Sequence, residues 1–239
     1  MVTEQPAFRF EEVTVTVAGA PRPLLDRVDL TVAAGGVTAV VGPSGAGKST
    51  LLRLCNRLDV ATAGTVRFRG DDVDDLDPLR LRRRVGMVFQ RPTLFPGTVR
   101  DNLSVADPGE DVADLGAVLA EAGLDPAFLD RRADDLSGGE AQRACLARTL
   151  VTQPEVLLMD EPTSSLDTDG AQLIEATAGR LAAAGVAILW VTHDRAQVRR
   201  VADRCVTLHE GRIVSASDDQ SKEPGDDVHG SNGAEEAGR

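Results

Sequence analysis

The sequence has no tyrosine and a single tryptophan, and aromatic residues make up only 3% of its 239 positions. A core built on this composition must be mostly aliphatic, and a site that stacks a flat ligand has few rings to use. Cysteine is scarce as well. Cys55, Cys145 and Cys205 stand far apart, with no CxxC pair and no histidines at ligand spacing, which excludes a disulfide scaffold and a cysteine–histidine metal cluster. They read as reduced, mostly buried thiols. Long apolar runs are missing: residues 37–41, 156–159 and 185–191 are the most apolar stretches and fall far short of the roughly 18 residues a membrane helix needs. Residues 1–10 carry no basic-then-apolar leader pattern. Positive charge is in deficit too, with a formal net charge of −12, so nucleic-acid phosphates are disfavoured as partners. These absences lead to the expectation of a soluble, intracellular protein that does not act on nucleic acid.

Two further features sharpen the reading. Lys48 and Lys222 are the only lysines, every other basic side chain being arginine. Residues 215–239 are rich in acidic side chains and almost free of apolar ones, so they cannot bury enough surface to offset ordering entropy. They are expected to form a disordered acidic tail behind a folded body of residues 1–214.

Along that body, residues 10–17 alternate in strand fashion, and a second β-like run ends near residue 34. Residues 37–41 form a short continuous apolar run, the mark of a strand buried on both faces. A helical pattern follows over 49–58, then strand patterns over 64–69 and 85–89. Residues 91–150 read as helices and loops, clearest over 112–122 and 139–151. Two more apolar strands, 156–159 and 186–191, flank a helix expected over 169–184. The pattern predicts an α/β core interrupted by a helical insertion at about residues 91–150.

Between the strand at 37–41 and its helix lies Gly42-Pro43-Ser44-Gly45-Ala46-Gly47-Lys48-Ser49, followed by Thr50, a match to GxxxxGK[ST]. Its glycines let backbone N–H groups curl toward phosphate oxygens, and the helix behind them aims the positive end of its dipole at the same place. Lys48 suits the β- and γ-phosphates, and the Ser49 hydroxyl suits Mg²⁺. The body's one lysine stands where a compact ammonium is wanted. Residues 156–159 then run into Asp160 and Glu161. Side chains at a strand's end point to opposite sides, so Asp160 can face a metal shell while Glu161 faces an attacking water. A third motif, Leu136-Ser137-Gly138-Gly139-Glu140, starts a helix with a second anion-binding turn. One nucleotide does not need two such cradles on one subunit, whereas two copies arranged head to tail use both.

In this order and spacing the motifs resemble those of the ATP-binding-cassette (ABC) ATPases, over about residues 8–214. The resemblance implies a P-loop ATPase of ABC type with an N-terminal antiparallel β region and an inserted helical subdomain. It implies ATP and Mg²⁺ as cofactors, with Ser49, Gln90 and Asp160 around the metal. Glu161 is implied as general base, and Gln90 and His193 as the residues that sense the water and the γ-phosphate. Ser137, Gly138, Gly139 and Glu140 would touch the nucleotide of the opposite copy, and Ser165 and Asp167 would lie in the loop where the copies meet. Glu140 stands where glutamine is commonest. At Val17, members usually carry the aromatic that stacks on adenine, so adenine is expected to pack on an aliphatic surface or on Phe8 or Phe10, with modest base selectivity.

Membership in this family without a membrane span implies a separate integral membrane permease subunit, with the chain on the inner face of the cell membrane. Leu94 and Phe95, in an apolar turn after Gln90, are the contact candidates. Residues 51–58 look like phosphate importers and residues 90–103 like metal-ion exporters. The substrate expectation therefore leans to an inorganic ion, with a solute-binding protein as a further partner if the direction is inward. An ABC ATPase that mechanically drives a membrane complex, as in cell division or lipoprotein release, is the alternative.

Overall fold

The computed structural model describes residues 5–106 and 114–217. In chain order the elements are β1 (Phe8–Val15), β2 (Leu25–Val32), β3 (Gly36–Val41), α1 (Lys48–Cys55), β4 (Ala63–Phe68), β5 (Asp71–Asp72), α2 (Pro78–Arg84) and β6 (Val85–Val88). Then come α3 (Val99–Ser104), α4 (Leu115–Glu121), α5 (Gly138–Leu150), β7 (Val156–Asp160), α6 (Thr168–Ala183), β8 (Ala187–Val191), α7 (Arg195–Val201), β9 (Arg204–His209) and β10 (Arg212–Ser217). The α/β architecture expected from the motifs is present: a four-stranded antiparallel sheet in the order β2-β1-β4-β5, and a six-stranded sheet in the order β10-β9-β3-β8-β7-β6. In the larger sheet β9, β3, β8, β7 and β6 pair in parallel, while β10 closes one edge antiparallel.

The short apolar strands explain how this sheet divides the interior. In β7, Val156 and Leu158 point into one core and Leu157 and Met159 into the other; in β8, Leu189 and Val191 face the first and Ile188 and Trp190 the second. A period of two on a strand buried on both faces requires this split. The first core joins the antiparallel sheet and α1, through Phe8, Phe10, Leu51, Leu52 and Phe68. The second joins α3 to α7, through Leu103, Leu119, Leu146, Ile174 and Val198.

This packing corrects one expectation directly. Phe8 and Phe10 are 0% and 1% exposed inside the first core, so neither ring can meet a nucleotide base. Their positions on β1 put them on its buried face, which alternates with the exposed one. The body also runs further than residue 214. Ser215, Ala216 and Ser217 belong to β10 and pair with Thr207, Val206 and Cys205. An edge strand with little burial carries no apolar alternation, which hides it from a sequence reading. Residues 218–239, the rest of the expected tail, lie outside the described residues, as do residues 112–113 of the helix expected over 112–122.

The topology matters for function because β3, β8, β7 and β6 are consecutive and parallel. Each runs at its carboxyl end into one candidate segment: Gly42 after β3, His193 after β8, Glu161 after β7 and Gln90 after β6. In open α/β sheets, ligands bind at this edge.

Candidate active site

The phosphate loop is shaped by close backbone approach. Gly42, Gly45 and Gly47 have φ of 151°, 76° and 102°. A Cβ on Gly42 would lie 2.0 Å from the Leu208 carbonyl oxygen, and one on Gly47 would lie 2.5 Å from that of Leu24. Gly47 also caps α1 without any side-chain hydrogen bond, so the first helical N–H groups have no capping side chain and are available to an anion. Lys48, 7% exposed, folds back over this loop and donates from Nζ to the carbonyls of Gly42 (2.8 Å) and Pro43 (3.0 Å).

Next to the loop, the Ser49 hydroxyl donates to Oδ1 of Asp160 at 3.0 Å. Burial pushes the Asp160 carboxyl above its ordinary range, and the Ser49 hydrogen bond and the charges of Arg53 and Lys48 pull it back. Glu161 begins the loop after β7 with φ of 47°, its N–H held by the Val191 carbonyl at 3.0 Å. A non-glycine residue at positive φ is strained and is kept by the surrounding structure. Its Oε2 accepts from Gln90 Nε2 at 3.3 Å and lies 3.4 Å from Nδ1 of His193. Gln90 Nε2 also donates to the Ser164 hydroxyl at 3.3 Å. Gln90, Glu161, Ser164 and His193 are thus brought together, with Gln90 turned toward Glu161 and Ser164 rather than toward the Ser49–Asp160 pair.

The Ser137 turn is built as a capping box at the start of α5. Its hydroxyl accepts from the Glu140 N–H (3.3 Å), and Glu140 Oε2 accepts from the Ser137 N–H (2.7 Å). That second bond, with help from Arg131 at 3.3 Å, holds the Glu140 carboxyl below its usual range. Gly138 faces open space, with no atom within 4 Å of a Cβ built there. These hydrogen bonds stay within the turn and Arg131. Asp167 caps α6 by accepting the Gly170 N–H at 2.8 Å, and Ser165 is exposed beside it.

Val17 is 51% exposed in the turn after β1, whose partner segment reaches the phosphate loop through Leu24. The two residues of the apolar turn behave differently. Leu94 packs against the helical core, whereas Phe95 is exposed. The Phe95 ring lies 5.0 Å from the Arg148 guanidinium, and its backbone is pinned on both sides by the buried Asn102 side chain, at 2.7 and 2.9 Å.

The sequence reading missed several polar residues that the fold buries around these segments. Gln142 is 0% exposed and donates to the Phe89 carbonyl at 2.9 Å, tying α5 to the residue before Gln90. Gln197 is 4% exposed on α7. Their burial follows from partners on other elements, Phe89 for Gln142 and Trp190, Thr163 and Glu175 for Gln197, which no local sequence pattern signals.

Comparison with known proteins gives the family and the fold. Residues 25–164 match the family model described as ABC transporter. The methionine import ATP-binding protein MetN of Caulobacter vibrioides is 45% identical over 218 residues, covering 86% of this chain and 65% of its own length. The phosphate import ATP-binding protein PstB of Salinibacter ruber is 40% identical over 208 residues, covering 81% of this chain and 83% of its own. Among solved structures, the ATP-binding cassette MJ0796, a dimer in a post-hydrolysis state bound to ADP and Pi, superposes with a TM-score of 0.78 at 29% identity, over 88% of this chain and 97% of its own. A family model that spans residues 25–164, relatives 40–45% identical over most of the chain and a solved cassette of the same fold agree, and the chain belongs to the ABC transporter family as one of its ATP-binding ATPases.

Proposed function

We propose that the chain is the ATP-hydrolysing subunit of a membrane transporter, working as a head-to-tail dimer beneath a separate integral membrane permease subunit on the cytoplasmic face. The observation that carries this reading is the gathering of Gln90, Glu161 and His193 beside the phosphate loop, while the Ser137 turn is left with its hydrogen bonds internal and its glycine facing open space. The backbone of residues 42–47, with Lys48, Ser49 and Thr50, holds the phosphates. Glu161 takes the proton of the attacking water, and Gln90 and His193 orient that water and the γ-phosphate. Ser137, Gly138, Gly139 and Glu140 complete the site of the opposite copy, and Ser165 and Asp167 stand in the loop between the copies. ATP binding closes the dimer and hydrolysis reopens it, driving the permease between two states.

The donor set fits Mg²⁺. Among the described residues no group of three or more His, Cys, Asp or Glu side chains gathers as a metal site. One hydroxyl and one carboxylate, Ser49 and Asp160, suit an ion that keeps its waters and takes phosphate oxygens as its other ligands. Gln90, the third residue proposed for that shell, is turned to Glu161 and Ser164 here. When bound, Mg²⁺ neutralises charge on the β- and γ-phosphate oxygens.

Base recognition has little to work with. Val17 offers an exposed aliphatic surface, and the absence of a stacked ring gives up about 1 kcal/mol. ATP and GTP are expected to bind within about tenfold of each other, as read by competition for a fluorescent nucleotide. A preference of several hundredfold would show that another element reads the base.

For the solute, the named roles of the two relatives, phosphate and methionine import, favour an importer of a small polar solute. Purification of the tagged chain from mildly solubilised membranes tests the whole reading. A multi-span partner together with a solute-binding protein supports it, and recovery without any membrane protein overturns it. No helix among the described residues is long and apolar enough to cross a membrane, and the exposed Phe95 is the surface proposed to meet the permease. Phe95→Asp is expected to abolish recovery with the membrane fraction and leave ATP affinity within about twofold. Leu94→Asp would disturb core packing as well and is the less informative change.

A further inference from the structure

The loop that follows Glu161, together with α6 and α7, lines an open cleft of about 390 Å³, bordered among others by Asp167, Glu175, His193 and Arg200. Its wall contains a polar network that none of the motifs above includes. Trp190, on β8, is 0% exposed, and a buried indole N–H has no use except as a donor. It donates to Oε1 of Gln197 at 3.2 Å. The two hydrogens of Gln197 Nε2 go to the Thr163 hydroxyl and to Oε1 of Glu175, each at 2.9 Å. Glu175 is in turn gripped by Arg200, through Nε at 2.9 Å and Nη2 at 2.7 Å. The amide has one possible orientation. Turned over, it would set donor against the indole N–H and acceptor against the Glu175 carboxylate.

Gln197 is therefore a three-way tie between β8, the loop after β7, and α6. β8 leads directly to His193, and the loop starts at Glu161. Within that loop the Ser164 N–H donates to the Glu161 carbonyl at 3.2 Å and the Leu166 N–H to the Thr163 carbonyl at 3.1 Å, so where Thr163 is held decides the course of residues 161–167. We propose that Gln197 is a positioning residue for ATP hydrolysis, holding Thr163 so that the loop carrying Glu161 keeps its register with His193. This rests on the roles assigned above to Glu161 and His193. Displacement of a catalytic group by about 1 Å can lower a rate about 100-fold, so a tie outside the site is enough to control turnover.

Steady-state ATPase assays on the full chain test this with three variants. Gln197→Met keeps length and removes all three hydrogen bonds. Thr163→Val keeps shape at a half-buried position and removes only the hydroxyl. Thr163→Ser restores that hydroxyl. The first two are expected to lower kcat by at least about tenfold with KM for ATP within about twofold, and Thr163→Ser to recover turnover to within about threefold of the parent. Adding Thr163→Val to Gln197→Met is expected to change kcat little further, because both break one tie. The chain's only tryptophan is Trp190, so its emission reports loss of the indole hydrogen bond in Gln197→Met. If Gln197→Met fails to fold, Thr163→Val and Thr163→Ser decide alone. The role is overturned if folded Thr163→Val turns over within twofold of the parent, or if its loss of kcat comes only with a matching loss of thermal stability. Glu161→Gln, assayed alongside, separates the two claims: an inactive Glu161→Gln with an active Thr163→Val removes the positioning role alone, and an active Glu161→Gln removes the base role.

Discussion

Glu161→Gln is expected to bind ATP and form the dimer while hydrolysing at below about one hundredth of the parent rate. The substitution preserves size and most hydrogen bonding. Glutamine can still meet Gln90 and His193, and its backbone N–H still reaches the Val191 carbonyl. What disappears is a carboxylate able to accept a proton from water, and general-base catalysis contributes about 100- to 10,000-fold. Nucleotide binding draws on the loop of residues 42–49, on a different strand, so it should be left intact. In the proposed cycle closure depends on binding and reopening on hydrolysis, so the variant should accumulate as a dimer in ATP. Phosphate release measures the first effect and size-exclusion chromatography with ATP the second. Near-normal turnover would remove Glu161 from the base role.

Gly42→Ala should destabilise the fold by about 3 kcal/mol or more, whereas Gly45→Ala should cost about 1 kcal/mol. Both positions have positive φ, so both incur the backbone penalty of an L side chain. They differ in what the new methyl meets. At Gly42 it would sit 2.0 Å from the Leu208 carbonyl oxygen and push β9 away from the loop, while at Gly45 no atom lies within 4 Å. Gly42→Ala should therefore also lose nucleotide affinity, since displacing residue 42 moves the backbone of the loop that would cradle the phosphates. Urea denaturation of the two variants beside the parent makes the comparison. Equal losses would mean that φ alone governs this loop and that the close approach of Leu208 relaxes freely.

The segments proposed to carry chemistry stood out in the sequence because phosphate and metal chemistry constrains residue type and spacing together. Lys48, Asp160 and Glu161 each stand at the end of a short apolar run or just beyond it, and such runs read as buried strands. The fold class followed from the same runs. What was not legible depends on contacts between distant parts. Phe8 and Phe10 look like free rings near a site until the pairing of β1 with β2 and β4 turns both inward. Leu94 and Phe95 are adjacent apolar residues, and only the packing of the helical region separates one as core from the other as surface. Gln142 and Gln197 are ordinary helix residues by sequence, and their roles come from Phe89, Trp190, Thr163 and Glu175. β10 lacked an apolar period because this edge strand is mostly exposed.

The posture of Lys48 bears on how the subunit empties as well as on how it fills. Its ammonium is already satisfied by two loop carbonyls, at 2.8 and 3.0 Å. Phosphate must win that ammonium from an internal competitor, and whatever Gly42 and Pro43 give it is subtracted from the net affinity. Once the γ-phosphate has been cleaved and the charge on the remaining nucleotide has fallen, the carbonyls compete on better terms. The loop then acts as its own return spring, its carbonyls reclaiming the ammonium as product leaves.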